Sequence, residues 1–122
     1  MARRRLERVN QVLREELSRL IRSEVKDPRV ETVTVTRVET TPDLMHATVF
    51  VRTLTDAVAV EEAIAGLESA EGFVRARLGR ELRLRRIPDF RFVADHALEH
   101  VRRIEALLEE ALGDSDAPAE SE

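Results

Sequence analysis

Residues 30–52 constrain the fold more than any other part of the chain. From Val30 to Thr40 the sequence (Val-Glu-Thr-Val-Thr-Val-Thr-Arg-Val-Glu-Thr) alternates β-branched residues, the period of a strand. Thr41-Pro42-Asp43 follows as turn chemistry. A second alternating run over 45–52 sets Ala47, Val49 and Val51 on one side and His46, Thr48, Phe50 and Arg52 on the other. Two such runs joined by a short turn predict an antiparallel hairpin. One face of it is apolar and needs a cover, and the flanking sequence has helical periods.

Residues 5–25 read as an amphipathic helix, with Leu6, Val9, Leu13, Leu17, Leu20 and Ile21 on one face. At 100° per residue, Arg4, Arg5, Arg8, Arg19, Arg22 and Lys26 share roughly 100° of arc on the far side, with Glu15 inside that arc. Asp27-Pro28-Arg29 ends the helix, because proline disfavours the α region in the residue before it. Beyond the hairpin, Thr55 or Asp56 can cap a helix to about Ser69, with Val60, Ala63, Ile64 and Leu67 as its stripe. Ala70-Glu71-Gly72 is expected to interrupt it. A second helix then runs from about Phe73 to Leu82, with Val74, Leu78 and Leu82 opposite Arg77, Arg80 and Arg83, and Phe73 near the arginine side.

Pro88 blocks further helix, and Asp89-Phe90-Arg91-Phe92-Val93 reads as a third strand. Asp95 is a candidate cap for a last helix over about 96–111, which Leu98, Val101, Ile104 and Leu108 are expected to pack down. The order α-β-β-α-break-α-β-α predicts a two-layer α+β domain over residues 1–112, with helices on one face of a three-stranded sheet. Residues 113–122 hold no large apolar side chain and are expected to be a disordered acidic tail.

Charge is unevenly distributed. The chain of 122 residues has a formal net charge of −4. Residues 109–122 carry six acids and no base, so 20 bases face the remaining 18 acids, and residues 1–108 come to +2. From Arg75 to Arg91 there are seven arginines (75, 77, 80, 83, 85, 86 and 91) against Glu81 and Asp89. That island, with Arg75, Arg77, Arg80, Arg83, Arg85 and Arg86 as its candidate contacts, can face a polyanion. The arc on the first helix is a second candidate surface.

Catalytic patterns are missing. There is no cysteine, nucleophile elbow, phosphate loop or dinucleotide fingerprint. His96 and His100 are one helical turn apart, but no HExxH glutamate lies between them, so neither metal nor cofactor is expected. The charged pairs Glu15-Glu16, Glu61-Glu62 and Glu109-Glu110 fall on exposed helical faces. The chain is not expected to be an enzyme. No run is long enough to span a bilayer, and the default expectation is a cytoplasmic soluble protein. With four Phe and no Trp or Tyr, RNA recognition is expected to depend on charge and shape more than on base stacking.

Several pieces taken in order resemble the ribosome-binding factor A family. They are Arg8-Val9, Lys26-Asp27-Pro28-Arg29, Val33-Thr34-Val35-Thr36-Arg37-Val38, Pro42-Asp43-Leu44 with Ala47-Thr48-Val49, Ala70-Glu71-Gly72-Phe73-Val74-Arg75, and Leu82 through Phe90. The match continues through Phe92 and Asp95 to Ile104 and Leu107-Leu108, covering about residues 3–110. The resemblance implies a type II KH-like domain with a mixed sheet and an extra C-terminal helix. In place of the GxxG loop it implies a helix-kink-helix, matched by Ala70, Glu71 and Gly72. It also implies a monomeric assembly factor of the small ribosomal subunit. Such a factor would bind free 30S particles and their 16S rRNA, and assist late maturation and rRNA processing near the 5′ end. Growth in the cold, and a shared particle with ribosomal proteins and assembly GTPases, belong to the same implication. The alternative from the residues alone is a protein-interaction module whose arginines pair with Glu61, Glu68 and Glu81, binding a ribosomal or other protein. A stand-alone binder of single-stranded RNA is a third.

Overall fold

The computed structural model describes residues 2–55, 58–84 and 86–116. Its elements are α1 (Ala2–Ser23), a 3-10 turn (Pro28–Val30), β1 (Val33–Thr40), β2 (His46–Thr53), α2 (Val60–Glu81), β3 (Asp89–Ala94) and α3 (Ala97–Asp116). β2 is the central strand, antiparallel to β1 and parallel to β3. The parallel pair requires a crossover, which α2 supplies. The architecture is α+β with a mixed three-stranded sheet, as the sequence implies.

The apolar face of the sheet is covered by α1 and α2. Leu13, Leu17, Leu20 and Ile21 of α1 and Leu67, Val74 and Leu78 of α2 are buried. They meet Val35 and Val38, Ala47, Val49 and Val51, and Phe90 and Phe92 from the three strands. In β1 the buried positions jump phase, from Val35 to Val38. The register shifts between Val35 and Arg37, which leaves Thr36 as the extra residue of a β-bulge. The bulge keeps both valines on the core face. It also frees the Thr36 hydroxyl to donate to the Asp95 carboxylate, with the Phe50 carbonyl 3.2 Å away as the other acceptor in reach.

Asp95 caps α3, as expected: its carboxylate accepts the Ala97 N–H at 2.9 Å. The Thr36 hydroxyl, and then the Ala97 N–H, hold its carboxyl below the ordinary carboxylate range. In the hairpin turn, Leu44 takes a positive φ of 62°. The Asp43 carboxylate spans it, accepting from the Thr41 hydroxyl at 2.6 Å and the Met45 N–H at 3.0 Å.

Three expectations are corrected. α2 runs unbroken through Ala70-Glu71-Gly72, so the two expected helices are one. No glycine among the described residues has a positive φ, and Gly72 keeps the helical path. Leu67 on one side and Val74 and Leu78 on the other pack into the same core, which outweighs the roughly 1 kcal/mol that a helical glycine costs. Second, α2 starts at Val60 behind Ala59, which makes no side-chain cap; Thr55 lies too far upstream, and Asp56 is outside the described residues. Third, Val101, Ile104 and Leu108 do not pack α3 down. With Leu107 and Leu112 they remain 44–60% exposed. α1 and α2 already occupy the apolar face, while the far face, with Thr34, Thr48, Arg52 and Arg91, is polar. The Leu98 side chain lies outside the described residues. α3 continues to Asp116, past the boundary expected at 112; residues 117–122 lie outside the described residues.

Candidate nucleic-acid interface

An arginine whose guanidinium is already paired within the fold has fewer N–H donors, and less net charge, to offer a phosphate. Arg75 is committed. It donates to the Ile87 carbonyl at 3.0 Å and the Pro88 carbonyl at 3.1 Å, and lies 3.4 Å from the Asp89 carboxylate. One turn before it, Glu71 accepts the Phe90 N–H at 2.9 Å. This part of α2 therefore grips the segment entering β3, and Glu71 is turned to the backbone of Phe90.

Arg77 is committed too. Its guanidinium is 2.7 Å from the Glu24 carboxylate and 3.7 Å from that of Glu81. Glu81 also pairs with Arg19, which reaches Glu16 at 2.9 Å. These five side chains form a continuous network that joins the C-terminal ends of α1 and α2. The hydrogen bond that Arg19 donates to Glu16, and then the nearby Glu81 charge, raise the Arg19 pKa despite its partial desolvation. Among the described residues Arg19 and Arg77 pair with Glu16, Glu24 and Glu81, and neither Glu61 nor Glu68 pairs with an arginine.

The other candidates are free. Arg80, Arg83 and Arg86 are exposed and make no ion pair among the described residues. The same holds for Arg22 and Lys26, and for Arg4, Arg5 and Arg8. Arg85 lies outside the described residues. Arg80 and Arg83 flank Glu81 on the chain, next to the α1–α2 network. Lys26 borders an opening with Ser69 and Phe73 of α2, and Arg22 borders a separate one with Val33, Val35 and Leu54. From Arg8 to Arg22 is about 21 Å along the helix at 1.5 Å per residue. The basic arc is thus spread along α1.

The aromatic residues divide in the same way. Phe90 and Phe92 are buried with ring centroids 6.4 Å apart. Phe50 is half-buried under the Arg37 guanidinium, 3.8 Å from the ring centroid. Phe73 is the exception at 45% exposed, with the Arg77 guanidinium 5.8 Å from its centroid. It borders a shallow cavity of about 360 Å³ shared with Lys26, Asp27, Gly66 and Ser69. Sequence reasoning missed this cavity. Its one signal is that Phe73 sits toward the arginine side of its helix, away from Val74 and Leu78.

His96 pairs with Glu99 at 3.0 Å, and no cluster of three or more metal-ligating side chains occurs among the described residues. Among them no helix is long and apolar enough to cross a membrane.

The sequence model of ribosome-binding factor A matches residues 5–108. Ribosome-binding factor A of Aromatoleum aromaticum is 41% identical over 113 residues, 93% of this chain and 89% of that protein. That of Desulfitobacterium hafniense is 43% identical over 108 residues, 88% of this chain and 86% of that protein. The crystal structure of ribosome-binding factor A from Thermus thermophilus superposes with a TM-score of 0.68 at 28% identity, covering 75% of this chain and 97% of that one. A homology model of the Thermus factor, as fitted into the cryo-EM map of a complex with the 30S subunit, gives a TM-score of 0.53 at 31% identity. It covers 70% of this chain and 93% of that one.

Proposed function

The chain belongs to the ribosome-binding factor A family, and from that premise we propose that it is an assembly factor that binds the free 30S subunit. In this reading it assists late maturation of the particle, including processing of the 16S rRNA near its 5′ end, in company with assembly GTPases. The observation that carries the reading is the likeness to a family member fitted into a 30S complex. The sorting of the arginines supports RNA as the contacted component. Among the described residues Arg22, Lys26, Arg80, Arg83 and Arg86 have no hydrogen-bond or ion-pair partner, and unpaired exposed cations favour a phosphate backbone. Arg75 and Arg77 then hold the surface in shape and do not themselves bind.

Co-sedimentation with purified ribosomal particles tests the reading. The protein is expected to travel with free 30S subunits and not with 70S ribosomes, and its crosslinks are expected on RNA. Absence from the 30S fraction contradicts the function. Crosslinks confined to a ribosomal protein favour the alternative, a protein-interaction module that binds through its arginine-rich face.

A further inference from the structure

The cavity beside Phe73 is made by two segments that pass close to each other. Gly66, Ser69, Ala70 and Phe73 recur at the spacing of one face of α2, and the loop Glu24–Asp27 lies across them. The approach is close at Gly66, where a Cβ would stand 3.2 Å from the Asp27 carboxylate. The small side chains leave the opening, Val25 forms an apolar wall, and the Phe73 ring closes one end.

The polar groups around this opening differ in what they have left to offer. Glu24 is neutralised by Arg77 at 2.7 Å, and Asp27 by Arg29 at 2.8 Å. Arg29 supplies three protons to Asp27, from its backbone N–H at 2.9 Å, its Nε at 3.1 Å and its Nη2 at 2.8 Å, and of the carboxylate's roughly four lone-pair positions about one is left for another donor. Lys26 and the Ser69 hydroxyl have no hydrogen-bond or ion-pair partner among the described residues. An acceptor therefore stands next to unused donors, against an exposed aromatic ring. A planar ligand with a donor beside an acceptor on its edge fits this set. Adenine and cytosine have that edge, an exocyclic amine next to a ring nitrogen.

We propose that this cavity holds one unpaired adenine or cytosine of the bound RNA, stacked on Phe73. In the bound state the base lies on the ring, its amine donates to the Asp27 carboxylate, and Lys26 or Ser69 donates to its ring nitrogen. A neighbouring phosphate then falls toward the free cation Lys26, with Ser69 left to the ring nitrogen. The proposal rests on the RNA reading above and adds to it a contact that reads the base.

Dimethyl sulfate, which methylates N1 of adenine and N3 of cytosine, tests it on free 30S subunits with and without the protein. One such base is expected to be protected by the unsubstituted protein and by Phe73→Trp, and unprotected with Phe73→Ala. Removing a base–aromatic stack costs roughly five- to a hundredfold in affinity, so Phe73→Ala is expected to bind at least about fivefold more weakly. Its salt dependence is expected to be unchanged, because no phosphate contact is lost. Equal affinity and an identical footprint for Phe73→Ala would overturn the pocket and leave the RNA reading standing. Weaker binding with no base changing reactivity would also overturn it, pointing to an apolar protein side chain in the cavity. A flat salt dependence for the unsubstituted protein would contradict the RNA reading itself, and the pocket with it.

Discussion

Gly66 and Gly72 lie six residues apart on α2, and a methyl group at each meets different surroundings. At Gly66 it would stand 3.0 Å from the Val30 side chain and 3.2 Å from the Asp27 carboxylate, tight enough that the buried Val30 and the Arg29-bound Asp27 must give way by a few tenths of an ångström. At Gly72 it would meet nothing within 4 Å. Alanine at Gly72 should therefore gain the usual helix preference, about 0.5–1 kcal/mol of stability. Alanine at Gly66 gains the same preference but overpacks the turn that carries Asp27, for a net loss of about 1 kcal/mol. Urea denaturation of Gly72→Ala and Gly66→Ala checks both signs. A destabilised Gly72→Ala would mean that α2 needs glycine there, contrary to an unbroken helix. The family motif draws attention to Gly72, but it is Gly66 that the packing requires, and only the approach of a segment some forty residues away in sequence reveals it.

Among the elements, α3 stands apart. Among its described side chains Val101, Ile104, Leu107, Leu108 and Leu112 remain exposed. Most helical stability in proteins comes from tertiary packing of an apolar face, which these side chains do not make. Its amide hydrogens should exchange within seconds, whereas those of Val49 and Val51 in the central strand should exchange only on global unfolding. Hydrogen exchange followed by mass spectrometry distinguishes the two; strong protection across α3 would show that its apolar face is covered in solution. The existence of α3 was legible in its period, and its cap in Asp95. Its lack of a partner was not, because periodicity reports which face is apolar and says nothing of what it meets. β1 shows the reverse case: the jump from Val35 to Val38 is present in the sequence as a break in alternation, and it becomes a bulge only when β2 fixes the register. At Ala70-Glu71-Gly72 local propensity suggested a stop, and packing on both sides carried the helix through.

At the scale of the whole molecule, the fold divides its positive charge between structure and surface. Arg19 and Arg77 join α1 to α2 through Glu16, Glu24 and Glu81, and Arg75 fastens α2 to the segment before β3. The free cations are then presented on a framework that the committed ones hold. Sequence identified the basic island but could not divide it, since ion pairing between residues 24 and 77 is a product of the tertiary fold. The division makes the central claim measurable. Each phosphate contact contributes about 0.7–0.9 to the slope of log affinity against log salt concentration. Binding to free 30S subunits should be titrated with salt for the unsubstituted protein, for Arg80→Ala/Arg83→Ala/Arg86→Ala, and for Arg77→Ala. The account predicts that the triple substitution lowers the slope by about 2 with the unfolding midpoint unchanged, and that Arg77→Ala lowers the midpoint and leaves the slope in place. An unchanged slope for the triple substitution, or a slope that falls with Arg77→Ala alone, would contradict it.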